Sequence, residues 1–275
     1  MKTAEERYKD EEVFHDQWAE STDFDSIDVM QINETITNPE MKYMVGQLGN
    51  LKGKELLDVG CGLGEASIYW ALRGATVTAT DISGEMLVGA QKLADKYEVS
   101  IDTFKSEAEN LKTPGGKQFD ILYTGNLLHH VDIPETLPQM KACLKDDGVF
   151  VSQDPVAYNP IINIYRSMAM DVRTVDEHPF KRKDVQLFKE HFEEVDVKFT
   201  WLFTLVIFMM MFALQFRNPN KERYWKKILD EGESWAWIYK PMKKLDDLVL
   251  TIFPFLGWMC WNVVIIAKRP IRNPS

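Results

Sequence analysis

Apolar residues along the middle of the chain fall into short blocks that alternate between two periods. Residues 55–59 (ELLDV) form an apolar run that ends in glycines. A helical stretch follows at roughly 65–73, and Gly74 stops it as a C-cap glycine does. Residues 75–80 (ATVTAT) are β-branched and read as a strand. Ser83 is a candidate N-cap for a helix that spaces Met86, Leu87, Ala90, Leu93, Ala94 and Tyr97 along one face. Further strands are predicted at 100–104, 119–123 and 148–152, with a helix at about 134–144 between the last two. Buried apolar strands alternating with helices predict an α/β fold, a parallel sheet with helices on both faces.

The flanks break this rhythm. Residues 1–50 are polar with scattered aromatics (Tyr8, Phe14, Trp18, Phe24, Tyr43) and predict an N-terminal helical cap. Residues 155–185 form a long connection, followed by a helix at 184–191 and a strand at 193–200. An uncharged run, WLFTLVIFMMMFALQF, occupies 201–216. A second uncharged stretch covers 248–267, and its end, 261–267, reads as a final strand. The expected organisation is a cap (1–50), a core (51–200, completed by a strand at 261–268) and an apolar insertion (201–260) before the last strand.

The first run falls short of the roughly 20 residues a helix needs to span a bilayer. The second has the length, but Pro254, Gly257 and its strand-like end argue against a span. Between Arg217 and Lys244 basic residues outnumber acidic ones by eight to four, in a chain of net charge −10. Tyr224, Trp225, Trp235, Trp237 and Tyr239 interleave with them. Basic groups and amphipathic aromatics beside apolar runs favour an element lying on an anionic membrane surface. A buried lid or a dimer interface is the other reading. The oligomeric state is left open.

Composition narrows the classes. With 275 residues, 45% hydrophobic and 27% charged, the chain suits a globular protein with a real core. The net charge excludes a general nucleic-acid binder. Cys61, Cys143 and Cys260 are far apart with no CxxC pair, which argues against a disulfide framework or structural zinc and fits a reducing cytoplasm. The polar N-terminus has no apolar h-region, so a signal peptide is not expected.

The chemistry concentrates at 56–83, LLDVGCGLGEASIYWALRGATVTATDIS. Asp58, Gly60, Gly62 and Gly64 sit at a strand-to-helix turn, where glycine lets the backbone approach a ligand. Asp81 ends the next strand about twenty residues on, beside the cleft where open parallel sheets bind ligands, and can accept both hydroxyls of a ribose. The spacing is G-x-G-x-G, not the dinucleotide G-x-G-x-x-G, and the Gly-Lys-Ser/Thr of a phosphate loop is missing. Asp58 would repel a phosphate but suits a ligand carrying an ammonium and a sulfonium.

These segments resemble the class I methyltransferases that use S-adenosylmethionine (SAM), especially their small-molecule and lipid-quinone branch. LLDVGCGLGEAS is similar to their first motif, TATDIS to the acidic end of strand two, and SEAENL (106–111) to the segment bordering adenine. FDILYTGNLLHHV (119–131) and LKDDGVFV (144–151) resemble the motifs of strands four and five. The resemblance covers roughly 50–155, with weaker support from HDQWA at 15–19. It implies a Rossmann-like, seven-stranded, mostly parallel sheet with the last strand antiparallel. It places Asp58, Gly60 and Gly62 at the methionine portion of SAM, and Asp81 at the ribose. Ile82 and Met86 would flank the adenine, Glu107 and Ala108 its amino edge, and Asn126 would lie near the reacting methyl.

His129 and His130 follow strand four and are candidate bases for methyl transfer, with His130 favoured. Some quinone O-methyltransferases carry Glu-x-x-Glu-His here and bind a divalent ion. This chain has Asn126, His129 and His130 at those places, so no metal is expected. His15 and Trp18 in the cap, with Tyr165, Arg166 and His178 in the connection, are candidate substrate contacts. The expected function is methyl transfer from SAM to a lipophilic acceptor, with oxygen the favoured atom, by a cytoplasmic enzyme peripheral to the inner membrane face. A soluble small-molecule methyltransferase and a non-catalytic SAM-binding scaffold are the alternatives.

Overall fold

The computed structural model describes residues 4–172 and 177–272. Seven strands form one sheet: β1 (Glu55–Val59), β2 (Thr76–Asp81), β3 (Ile101–Lys105), β4 (Phe119–Gly125), β5 (Leu144–Pro155), β6 (Phe192–Thr200) and β7 (Asn262–Pro270). Their order is β3-β2-β1-β4-β5-β7-β6, and β7 runs antiparallel to both of its neighbours. The sheet is therefore Rossmann-like, as the sequence implies.

Period-two burial builds a core on each face. Leu56, Val77, Ile121, Val264 and Ile266 pack on one side with α4 (Glu65–Leu72) and α5 (Gly84–Lys96). Leu57, Leu122, Phe150, Val263 and Ile265 pack on the other with α6 (Ile133–Ala142) and α8 (Arg182–His191). Between them in sequence, α7 (Pro160–Met168) falls within the long connection, of which 173–176 lie outside the described residues.

The N-terminal cap is helical, as predicted. It comprises α1 (Ala4–Glu20), α2 (Val29–Glu34) and α3 (Pro39–Leu48). Asp28 caps α2, and Asn38 caps α3 ahead of Pro39 at the first helical position. α1 lies against α5, where the Ser83 hydroxyl donates to Asp16.

β-Pairing decides where the insertion goes. Pro155 at the end of β5 and Thr200 at the end of β6 both pair with Asn262 at the start of β7. The connection between β6 and β7 thus leaves and re-enters at the C-terminal edge of the parallel strands, where open α/β sheets bind ligands. It contains α9 (Val206–Ala213), α10 (Tyr224–Asp230), α11 (Ala236–Ile252) and a 3₁₀ segment, Pro254–Met259. Asp246 of α11 ties it to its own start, accepting the Leu202 and Phe203 N–H groups and the Thr204 hydroxyl.

Of the uncharged run at 201–216, α9 covers 8 residues. No helix among the described residues is long and apolar enough to cross a membrane. The interleaved aromatics are also mostly inside. Tyr224, Trp235 and Tyr239 join Trp201, Phe208 and Met211 in a separate small core, and of the five only Trp237, at 66%, is well exposed. Sequence shows which residues are aromatic, but the face each presents is set by packing that no local period records.

Candidate active site

One cleft of about 380 Å³ opens at the C-terminal edge, between the glycine turn, α1 and the insertion. The turn after β1 is built for close approach. Gly60 (φ 71°) and Gly62 (φ 54°) adopt left-handed backbone, and the Gly60 N–H donates to the Thr80 carbonyl at 2.8 Å. A Cβ at Gly60 would stand 2.8 Å from Leu127, whereas one at Gly62 meets nothing within 4 Å. Asp81 locks the turn to β2. Its Oδ2 accepts the Gly62 N–H at 2.9 Å and its Oδ1 the Ser83 N–H at 2.9 Å.

Asp58 is buried beneath the turn. Its Oδ2 accepts the Ser67 hydroxyl at 2.6 Å, and its Oδ1 has no partner among the described residues. Burial pushes this carboxyl up to about 7, with the Asp81 and Glu65 charges adding to the effect and the Ser67 hydroxyl opposing it. A buried, half-satisfied carboxylate is stabilised by a cation. If Asp58 meets the ammonium of the cofactor, it must be ionised to do so. Affinity for S-adenosylhomocysteine (SAH) is then expected to fall about tenfold from pH 8 to pH 6 and to level off above. Calorimetric titration across that range checks this, and a flat profile removes Asp58 from the ammonium contact.

Of the predicted cofactor residues, Asp58, Gly60, Gly62, Asp81, Ile82, Ala108 and Asn126 line the cleft. Gly64, Met86 and Glu107 do not. Gly64 (φ 86°) immediately precedes α4, and a Cβ there would fall 2.7 Å from the Ala90 Cβ, so its task is close packing of α4 on α5. Met86 is fully buried in the core. Glu107 accepts from the Asn110 side chain instead. Asn126 holds a left-handed conformation (φ 56°) just past β4, with its N–H on the Gln153 carbonyl at 2.7 Å.

His129 and His130 lie in a 3₁₀ turn, Leu128–His130, and both face the cleft. His129 is buried, and its Nδ1 sits 2.9 Å from Asp154 Oδ1. The Ser152 hydroxyl holds the other Asp154 oxygen at 2.7 Å. His130 Nδ1 lies 3.2 Å from Glu11 Oε1 of α1. Burial disfavours the charged form of His130, but the Glu11 hydrogen bond and charge, with Glu177 and Asp154 behind them, outweigh it and raise the pKa.

Among the candidate substrate contacts, His15, Trp18, Tyr165 and Arg166 line the cleft. His178 is exposed and outside it; its backbone N–H donates to the His129 carbonyl, so it props the loop. The cleft also contains Tyr123 of β4, and Glu11, Glu40, Arg223, Trp225 and Asn262, which no local motif announces. Glu40 is buried and accepts the Asn262 side-chain amide at 3.0 Å and the Thr200 hydroxyl, at the far end of the sheet edge from Asp81.

A metal set can be assembled from His129, His130 and Glu177, whose ligand atoms lie within 4.8 Å of one another. Sequence spacing does not anticipate Glu177. Two imidazoles and one carboxylate suit a borderline transition ion better than Mg2+ or Ca2+, which prefer several oxygens. The hard cation of some quinone methyltransferases does not fit this donor set.

Comparison with known proteins agrees with this geometry. Residues 57–150 match the family model described as "Methyltransferase domain". Over that segment the core has the sequence signature and fold of a class I SAM-dependent methyltransferase domain. SAM is the cofactor such a domain takes. The ubiquinone biosynthesis O-methyltransferase of Actinobacillus pleuropneumoniae serotype 5b is 38% identical over 120 residues, 42% of this chain and 51% of that protein. Its namesake from Pseudomonas syringae pv. tomato is 37% identical over 128 residues, 44% and 54% of the two chains. The chain thus spans about half the length of these relatives. Among solved structures, Haemonchus contortus phosphoethanolamine N-methyltransferase 2 shares the fold (TM-score 0.56, 15% identity, 85% of this chain and 53% of that one). So does geranyl diphosphate C-methyltransferase from Streptomyces coelicolor A3(2) (TM-score 0.54, 11% identity, 83% and 77%).

Proposed function

We propose that this protein transfers a methyl group from SAM to a hydroxyl oxygen of a lipophilic, quinone-like acceptor at a membrane surface. The observation that carries the reading is the single cleft that joins the glycine turn and Asp81 to the two histidines after β4, beneath an apolar insertion. The names of the ubiquinone O-methyltransferases support oxygen as the acceptor atom.

SAM, when bound, supplies a methyl carbon activated by a positive sulfur. The chain's own residues do the rest. Asp58, Gly60, Gly62 and Asn126 hold the methionine end, Asp81 the ribose, and Ile82 and Ala108 the adenine. His130 would take the hydroxyl proton of the acceptor, whose oxygen would receive the methyl group from the bound cofactor, leaving SAH. Trp18, Tyr165 and the insertion exclude water and contact the acceptor. The reading needs no hard cation.

The membrane part rests on the outer surface of the insertion. Met209, Phe212, Leu214, Phe216, Trp237, Leu248 and Phe255 are exposed there, and Lys240 and Lys244 are exposed on α11. Exposed apolar groups beside cations suit the inner, anionic face of a cytoplasmic membrane. The insertion's own small core favours a second reading, a lid over a water-soluble acceptor. Methyl transfer from labelled SAM to hydroquinones with and without an isoprenoid tail, with and without anionic vesicles, separates the two. Turnover is expected to rise with the tail and with vesicles. Equal turnover on tailless hydroquinones and no vesicle effect would support the lid, and transfer to carbon or nitrogen would overturn the oxygen assignment.

A further inference from the structure

The insertion brings into the cleft a cation, Arg223, that has no counter-charge among the described residues. Arg223 stands immediately before α10 and lines the cleft. Its guanidinium carbon lies 4.0 Å from the centroid of the Trp18 ring and 6.0 Å from that of Phe14. Two other cations of the cleft have carboxylate partners: Arg7 pairs with Glu109, and Lys226 lies 3.7 Å from Glu65. No carboxylate among the described residues pairs with Arg223. Burial pulls its pKa down, so it is partly stripped of water as well. A desolvated cation resting only on aromatic faces is costly unless an anion joins it.

Its position narrows what that anion is. Lys226 follows one helical turn later on the same face, and its partner Glu65 opens α4 directly after Gly64. Arg223 therefore hangs beside the glycine turn. Trp18, beneath it, is one turn of α1 from His15, whose ring lies 6.4 Å from that of His130. The guanidinium thus stands between the turn and the histidine pair, where the methionine end of the cofactor and the head of the acceptor meet under the proposed function. A planar fork of N–H donors matches a carboxylate in two parallel hydrogen bonds.

We propose that Arg223 is a carboxylate receptor at the methyl-transfer end of the cleft, so that the insertion forms part of the ligand site. The carboxylate comes either from the methionine portion of SAM or from the acceptor. The inference rests on the cofactor and acceptor reading above. One consequence is that removing 201–260 impairs ligand binding as well as any membrane contact.

The test uses full-length Arg223→Met, which keeps an apolar stem against Trp18, and Arg223→Lys, which keeps the charge without the fork. Both are first checked for an unchanged melting temperature. SAH and 5′-methylthioadenosine, which lacks the amino-acid carboxylate, are titrated by calorimetry, and KM is measured for hydroquinones with and without a ring carboxylate. If the carboxylate is that of SAM, Arg223→Met weakens SAH roughly 10- to 100-fold, Arg223→Lys less, and methylthioadenosine not at all. If it is the acceptor's, SAH affinity holds and KM rises only for the carboxylated hydroquinone. Unchanged values throughout, or equal losses for all four ligands, would reduce Arg223 to a packing contact and overturn the proposal. Wild-type protein that binds neither nucleoside would instead sink the cofactor reading on which it stands.

Discussion

Asp81→Ala is expected to weaken SAH binding by at least about 100-fold, the loss of two hydrogen bonds to a charged acceptor. An ionised carboxylate offers about four lone-pair directions. In Asp81 two of them are taken by the Gly62 and Ser83 N–H groups, one on each oxygen. The other two remain for the ribose hydroxyls. The same residue thus holds the turn closed and reads the sugar, so alanine removes both functions. Asparagine does little better, because its NH2 group would face one of the two backbone N–H donors. Burial raises the pKa of Asp81, chiefly opposed by the Ser83 N–H and the charge of His15. Ribose hydroxyls would add donors to the ionised form, so the free protein holds this carboxylate at some cost that ligand binding relieves. Calorimetry of a variant that still melts cooperatively is the measurement. Binding within about threefold of wild type would remove Asp81 from the cofactor site.

Local chemistry explains why some of this was legible in the sequence and some was not. β1 occupies 55–59 as read, because an apolar run bounded by a turn needs no distant partner to define it. β5 runs from Leu144 to Pro155, longer than the predicted 148–152, because pairing with β4 and β7 extends it beyond its apolar centre. Asp58, Gly60, Gly62 and Asp81 could be found because strand, turn and acid lie within one βαβ unit. Gly64 shares that signature, yet its neighbour is Ala90, and a glycine needed for packing looks the same as one needed for a ligand. The insertion resisted reading because an uncharged run has no polar face to mark its period. Arg223 and Lys226 appear in sequence as two charges of a basic stretch, and only the tertiary path turns them toward Trp18 and Glu65.

His130→Ala is expected to lower kcat by about 100- to 10,000-fold, the range for loss of a positioned base, with little change in SAH affinity. His130 is the more accessible of the two histidines, with 18% of its side chain exposed against 7% for His129. The Glu11 contact engages the His130 Nδ1. The raised pKa fixes the sign of the pH profile. Protonated His130 cannot act as a base, so the rate should rise with pH through a value above the ordinary histidine pKa of about 6.5. Removing the Glu11 charge withdraws the main influence that raises it. Glu11→Gln should therefore move that limb toward acid while sparing much of the maximal rate, a shift that a purely structural role for His130 would not produce. His129 provides the rival assignment, since its contact with buried Asp154 also fixes a tautomer. If His129→Ala abolishes turnover while His130→Ala stays within about threefold of wild type, the base is His129 with Asp154 as its orienting partner. A limb unmoved in Glu11→Gln would count against His130 on independent grounds, because Glu11 Oε1 lies 3.2 Å from its Nδ1.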